Sequence, residues 1–506
     1  MTIRKFFEEA VARTPKRTAF QYRVDGQLRS ESYAEAATRV RQIAELTEDL
    51  ALVPRAQPAA LLLDNSPRWM EIYLGVTGCG IPIVPIDPKL RASEVGYMLK
   101  DAGAVAVFTD RRHLPVFEEI ASELPHLKHL VLVDDTSDGL PECHRLTVWN
   151  FEQALAERAV KAASKGARFD REAALPDDVA SLIYTSGTTG LPKGAMLTHA
   201  NFCADTEGAL QVITGIGHHD RFLIVLPLFH SFSFTANFIV PLRVAACMQF
   251  VSNLRSVGED LRIFSPTILM AVPLLIEKIY LRIEDGLRTK RIAQVMLKMG
   301  LTRIVARGVR RSLGGKLRLM VSGGAPCSKE VLQGLRKLRL PVIEGYGLTE
   351  TSPVVSLSRV EDARPGTIGY PLPNIEVRLT DQDANGVGEL QVRGPVVMRG
   401  YHNNPQATAE AFDGDWLRTG DLASMDPDGY LTIRGRKKAL IVNREGKNIY
   451  PEEVEMCIAR DPKVLDVVVI GYHDQNETGE KVGAIVVPNQ ENFSANGIDL
   501  PPWEEI

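Results

Sequence analysis

The chain has 506 residues, of which 45% are hydrophobic and 24% charged, with a net charge of −4. That length suits roughly two to four soluble globular units, and the charge gives no case for nucleic-acid binding. The six cysteines, at 79, 143, 203, 247, 327 and 457, are scattered and form no Cys-x-x-Cys pair. Neither a disulfide framework nor a zinc site is expected, and reduced thiols in a cytoplasmic setting fit best.

In chain order, apolar Ile3, Phe6, Phe7, Ala10 and Val11 recur at helical spacing and predict an amphipathic helix ending before Pro15 rather than a secretory signal. Residues 59–63 read as a strand and 67–76 as a helix. The most apolar long segment, 72–86, is interrupted by Gly75, Gly78, Gly80, Pro82 and Pro85. No run of about 18 apolar residues is present to span a bilayer. Further strands at 104–108, 130–133, 222–226 and 317–321 alternate with helical stretches, which predicts parallel sheets covered by helices on both faces.

From 287 to 318 there are ten Lys or Arg and no Asp or Glu, interleaved with Ile292, Val295, Met296, Met299 and Val305. This reads either as a basic amphipathic helix on an anionic membrane or as a solvated helical face packed on the domain. After Arg364, the turn pairs Pro365-Gly366, Asn385-Gly386, Asp413-Gly414 and Asp428-Gly429 separate short runs such as 389–392. They predict a small antiparallel or barrel-like unit. A last unit begins near Gly435, with a helix over 451–460 and strands at 467–470 and 483–487.

The densest chemical signal is 184–194, Tyr-Thr-Ser-Gly-Thr-Thr-Gly-Leu-Pro-Lys-Gly. Four Ser/Thr hydroxyls, three glycines and one lysine lie within eleven residues, after an apolar run at 180–183. Such a loop offers many donors to a polyphosphate, although it does not fit Gly-x-x-x-x-Gly-Lys-Ser/Thr; the alternative is a flexible surface turn. Three other clusters have a chemical look, the first two of them after strands. Pro227-Leu228-Phe229-His230-Ser231 carries a histidine that either orients a substrate or is structural. Ser322-Gly323-Gly324-Ala325-Pro326 stands where parallel sheets receive ligands. Glu344-Gly345-Tyr346-Gly347-Leu348-Thr349-Glu350-Thr351 combines a ring for stacking on a base, a hydroxyl for a phosphate and a carboxylate for Mg²⁺. Finally, Asp421 precedes Gly435-Arg436-Lys437-Lys438, and a carboxylate of that kind suits ribose hydroxyls.

Taken in this order, the motifs resemble the adenylate-forming (AMP-binding) superfamily over nearly the whole chain, and most of all its long-chain acyl-CoA synthetases. The resemblance implies an α/β fold: a large N-terminal domain, residues 1–434, of two doubly wound βα subdomains plus a small β-barrel-like subdomain. A small, truncated α+β C-terminal lid, residues 435–506, would follow, with a hinge near Lys438. It implies that Thr185, Ser186, Gly187, Thr188, Thr189, Gly190 and Lys193 bind the ATP phosphates. Gly323, Gly324 and Ala325 would line the adenine pocket and acyl entrance. Tyr346, between Gly345 and Gly347, would stack on adenine; Thr349 would contact the α-phosphate, and Glu350, with Thr185, would hold Mg²⁺. His230 would sit by the carboxylate being activated, Asp421 on the ribose and Arg436 near ribose and phosphates. Gly446 belongs to the segment beside the pantetheine tunnel.

The implied reaction converts a medium- to long-chain fatty acid to acyl-AMP and then to acyl-CoA, with ATP, Mg²⁺ and CoA. The family's last lysine motif is expected roughly a hundred residues past the hinge. This sequence ends 68 residues past Lys438 (506 − 438), and Lys481 belongs to an earlier motif. The expectation is therefore a truncated sequence or an impaired adenylation step. Two alternatives accompany the CoA ligase: an acyl-carrier-protein ligase or other adenylating enzyme, and a catalytically impaired ATP- or acyl-binding protein. The basic 287–318 segment would give a cytoplasmic enzyme peripheral contact with the inner face of a membrane.

Overall fold

The structure, a computed structural model, describes residues 1–134, 139–164, 166–185, 191–442, 448–459, 461, 463–473 and 480–489. The chain divides into two units: Met1–Glu376 with Arg393–Phe412, and Val377–Val392 with Asp413–Ile506.

The first unit holds two large sheets. One has nine strands, in the order Tyr370–Pro371, Val354–Leu357, Val342–Gly347, Leu319–Ser322, Ile268–Ala271, Arg221–Ile224, Cys247–Phe250, Thr18–Val24, Gln27–Ser32. The other has seven, running from Thr147–Asn150 through His129–Leu132, Ala106–Thr109, Ala59–Leu62 and Ile83–Pro85 to Val179–Thr185 and Lys193–Thr198. Their inner strands are parallel, and six of them, Ala59–Leu62, Ile83–Pro85, Ala106–Thr109, Cys247–Phe250, Ile268–Ala271 and Leu319–Ser322, are buried at every residue. Burial on both faces is what turns such strands into near-continuous apolar runs. The antiparallel partners stand toward the edges: Val354–Leu357, Gln27–Ser32 and Lys193–Thr198.

Helices form as the spacing predicts. Ile3–Arg13 buries Ile3, Phe6, Phe7 and Ala10, and the Thr2 hydroxyl caps it by accepting the Lys5 N–H. Pro67–Thr77 starts with Pro at its first position and the Ser66 hydroxyl accepting from Trp69 N–H.

Residues 287–318, read above either as a basic amphipathic helix or as a solvated helical face, do not form one continuous helix. The segment is the end of Pro273–Thr289, then Arg291–Lys298, then Thr302–Ser312. Gly300, at φ +75°, leaves the helical region between the last two. Val305 and Val309 are buried and Met296 of the middle helix packs against the same core, while Ile292, Val295 and Met299 stay exposed.

The second unit is built on an antiparallel sheet in which Gly388–Arg393 and Leu431–Arg436 flank Trp416–Met425. Gly386, Gly414 and Gly429 take positive φ at the expected turns. Beyond it lie the short pair Ile441–Val442 and Asn448–Ile449, the helix Pro451–Ile458, and the paired strands Val464–His473 and Glu480–Pro488. Arg460, the expected helix end, lies outside the described residues.

Candidate active site

The phosphate-loop motif joins two antiparallel strands. Thr185 at the end of Val179–Thr185 pairs with Lys193 at the start of Lys193–Thr198, and Tyr184 pairs with Gly194. Ser186, Gly187, Thr188, Thr189 and Gly190 lie outside the described residues. The flanks of the loop are tied down by groups with no motif signal. The Tyr184 hydroxyl donates to Asp101 at 2.6 Å, and the Tyr97 hydroxyl donates to the Pro192 carbonyl at 3.1 Å. A Cβ on Gly194 would stand 3.1 Å from the Tyr184 ring, so glycine lets the two strands close over that ring.

Segment 398–402 connects this hairpin to the carboxylate expected to hold metal. His402 N–H donates to the Gly194 carbonyl and Met196 N–H to that of Gly400. Met398 N–H donates to the Glu350 carbonyl, and the Tyr401 hydroxyl donates to Glu350 Oε1 at 2.7 Å. The Lys193 ammonium lies 5.3 Å from the centre of the Tyr401 ring. Burial, and then the Glu350 carboxylate, push the Tyr401 hydroxyl above its ordinary pKa, so it stays a donor at neutral pH. Tyr401 thus stands between Lys193 and Glu350.

A cavity of about 560 Å³ gathers most of the remaining site residues: His230, Gly323, Gly324, Gly345, Tyr346, Gly347 and Thr349 all line it. They arrive from three elements. His230 precedes the short helix Ser231–Phe234, the glycine pair follows Leu319–Ser322, and Tyr346 closes Val342–Gly347. Thr349 meets Ser231, hydroxyl to hydroxyl, at 3.2 Å. Desolvation holds the His230 imidazole below its usual pKa, with Asp87 acting against it, which favours the neutral ring. Gly347 is required sterically, because a Cβ there would come within 1.6 Å of the Pro353 carbonyl oxygen. Ala325 follows Gly324 but does not line this cavity.

In the second unit, Asp421 and Arg436 are direct cross-strand partners, and Arg436 Nε lies 2.8 Å from Asp421 Oδ1. Asp421 is buried and its N–H donates to the Thr419 hydroxyl at 3.0 Å, whereas Arg436 is exposed. Lys438 falls in the single turn Lys437–Ala439, whose Lys437 donates to Glu389 at 2.7 Å. Gly446 lies outside the described residues.

Two buried carboxylates stand near the site: Asp205, which carries no motif signal, and Glu344, which opens the 344–351 motif. Asp205, fully buried on the helix His199–Val212, lines the cavity and accepts the Val354 N–H at 2.9 Å, which fixes the chain just after Glu350. Burial pushes its carboxyl well above the usual range. Glu344 accepts from Cys327 N–H and Gly366 N–H, both at 3.4 Å, and burial raises its pKa to about 7.

A magnesium ion fits the donor types present. Glu350 and Thr185 offer hard oxygens, and the described residues contain no group of three His, Cys, Asp or Glu that would form a cage. Mg²⁺ commonly takes one or two carboxylates and completes its shell with water and substrate phosphates.

The AMP-binding enzyme family model matches residues 7–402. The long-chain-fatty-acid–CoA ligase FadD15 of Mycobacterium bovis is 31% identical over 506 residues, covering 95% of this chain and 80% of its own length. Among solved structures, the fatty acyl CoA synthetase of Mycobacterium tuberculosis aligns with a TM-score of 0.71 at 25% identity, covering 98% of this chain and 90% of that one. ATP-bound MatB from Rhodopseudomonas palustris aligns with a TM-score of 0.77 at 26% identity, covering 97% and 89%. The chain therefore belongs to the AMP-binding enzyme family, as an AMP-forming acid–thiol ligase similar to long-chain-fatty-acid–CoA ligases.

Proposed function

We propose that this chain activates a medium- to long-chain fatty acid with ATP, forming acyl-AMP and pyrophosphate, and then passes the acyl group to the thiol of CoA with release of AMP. The observation that carries this reading is the cavity itself. It joins His230 and Thr349 to an apolar wall that includes Leu210, Ile213, Ile216 and Val240. An alkyl chain buried along such a wall gains about 0.8 kcal/mol per methylene. The names of the relatives, long-chain-fatty-acid–CoA ligase and fatty acyl CoA synthetase, agree with it.

Chemically, a carboxylate resists acyl transfer because oxide is a poor leaving group, and attack on the α-phosphorus of ATP replaces it with AMP. Each side chain then has a task. Thr185, Ser186, Thr188, Thr189 and Lys193 hold the β- and γ-phosphates, with Gly187 and Gly190 admitting them to the backbone. Glu350 and Thr185 would hold Mg²⁺, which would supply positive charge to the phosphates. Tyr346 stacks on adenine, Thr349 meets the α-phosphate and neutral His230 orients the acid. Asp421 bonds the ribose hydroxyls, and Arg436 adds positive charge near the phosphates. A hinge at Lys438 and a lid boundary at 434/435 belong to the same proposal, as does Gly446 beside the pantetheine path.

Among the described residues no helix is long and apolar enough to cross a membrane. We place the enzyme in the cytoplasm, with its basic helical face meeting the inner leaflet. The test is a chain-length series from butanoate to octadecanoate, with CoA and acyl carrier protein compared as acceptors. The expected result is acyl-CoA formation rising with chain length, reduced at least about tenfold in His230→Ala. Transfer to carrier protein alone, or turnover indifferent to the acid, would overturn the assignment.

A further inference from the structure

A second, larger concavity lies outside the reaction cavity and shares no lining residue with it. It is a groove of about 1250 Å³ bounded by four helices, Val257–Phe264, Pro273–Thr289, Arg291–Lys298 and Thr302–Ser312. Sites for small molecules span roughly 300–1,000 Å³, so this one has room for a long amphiphile. Its floor is apolar: Ile279, Ile283, Leu287, Met296, Val305 and Val309 all face it, and these residues form or pack against the core beneath.

The rim is cationic. Arg255, Arg262, Lys278, Arg282 and Lys290 line the groove, and all five are exposed. No Asp or Glu lines it among the described residues, although Glu277, Glu284 and Asp285 stand on the same helix as Lys278 and Arg282. At its mouth, large apolar side chains remain in solvent: Ile292 is 71% exposed, Leu254 67% and Ile304 49%. Exposed apolar groups clustered on a concave face mark a binding site rather than ordinary surface. An apolar trough rimmed by exposed cations is complementary to one kind of partner, an anionic amphiphile.

From this geometry we propose that the groove holds one molecule of long-chain fatty acid, with its chain on the apolar floor and its carboxylate at the Arg255, Lys278 and Arg282 rim. The choice of amphiphile rests on the fatty-acid reading of the reaction cavity. A concave trough between helices fits a single chain better than it fits the flat surface of a bilayer. The groove thus forms a second, non-reacting site, one that would retain substrate on the enzyme beside the membrane that supplies it.

The test is titration of the full chain with cis-parinaric acid, a fluorescent single-chain fatty acid, without vesicles. Two equivalents are expected to bind. A saturating non-hydrolysable acyl-adenylate analogue should displace one of them. The other should be weakened about tenfold by the double substitution Lys278→Glu, Arg282→Glu, which reverses two exposed charges. It should also be weakened by Ile304→Asp. Saturated fatty acids should displace it with affinity rising about fourfold per methylene. All three substituted residues are exposed, and such changes seldom disturb folding. The proposal is overturned if the analogue displaces all the probe, if the substitutions leave the second equivalent unchanged, or if, in a parallel sedimentation assay with anionic vesicles, the substitutions weaken vesicle binding but not the second probe equivalent. If the analogue displaces nothing while the substitutions still remove one equivalent, the reaction-cavity reading fails and the groove stands.

Discussion

Tyr401→Phe isolates one hydroxyl in the path from the phosphate-loop hairpin to Glu350. The substitution keeps the ring beside Lys193 and removes only the donor that holds Glu350 Oε1 at 2.7 Å. A hydrogen bond to a charged group contributes about 1.5–3 kcal/mol. If that bond fixes the carboxylate where magnesium and the phosphates need it, kcat/KM for Mg-ATP should fall about 10- to 100-fold. The assay is acid-dependent exchange of labelled pyrophosphate into ATP at varied Mg²⁺, with circular dichroism confirming that the fold is kept. Glu350→Gln supplies the control. In that background the carboxylate is gone, and adding Tyr401→Phe should cost less than about threefold, a coupling of roughly 1 kcal/mol or more between the two residues. An equal loss in both backgrounds would refute the reasoning, because it would show that the hydroxyl acts through something other than Glu350.

Other expectations follow from single contacts. Gly347→Ala puts a Cβ 1.6 Å from the Pro353 carbonyl oxygen, so it should cost more than about 3 kcal/mol and abolish nucleotide binding in calorimetry; Gly308→Ala, in a helix with open space around it, should instead be neutral or stabilising. Asp205→Ala loses the acceptor for Val354 N–H and should destabilise by about 1–3 kcal/mol, whereas Asp205→Asn keeps an acceptor and should cost much less. Equal denaturation midpoints for the two Asp205 variants would show that the bond is idle. Glu344 has a folded pKa of about 7 against 4.5 for the free group, so the native state holds its proton more tightly than the unfolded state. Its stabilising contribution is complete below pH 4.5 and fades as the pH climbs through about 7, by at most about 3 kcal/mol. Unfolding curves of wild type and Glu344→Gln, compared between pH 5 and 8, should diverge by that trend, and parallel curves would remove Glu344 as its source.

Much of this was legible in the chain because the signals were local. The buried inner strands are apolar at nearly every position, and burial on both faces explains why. The turn pairs after Arg364 carry their glycines at the positions that need positive φ. The family was legible because several short motifs stand in one order along the chain, and its model matches residues 7–402. Tyr401 was not legible: it joins Glu350 only because 398–402 pairs with a hairpin some two hundred residues earlier, as His402 N–H to the Gly194 carbonyl shows. Asp205 was hidden for a different reason. The helix His199–Val212 buries polar and apolar residues together, so no polar face singles it out. The helix boundaries within the basic segment were not legible, because its charge pattern runs unbroken through the breaks at Lys290 and Gly300.

The most direct test of the central claim is acid-dependent exchange of labelled pyrophosphate into ATP, with wild type, Lys193→Ala and Glu350→Gln assayed beside each other. The expected result is exchange that requires a fatty acid and falls about 100-fold or more in each variant, the loss typical of removing one preorganised charge stabiliser. Exchange without added acid, exchange with no acid from butanoate to octadecanoate, or exchange untouched by both substitutions would contradict it.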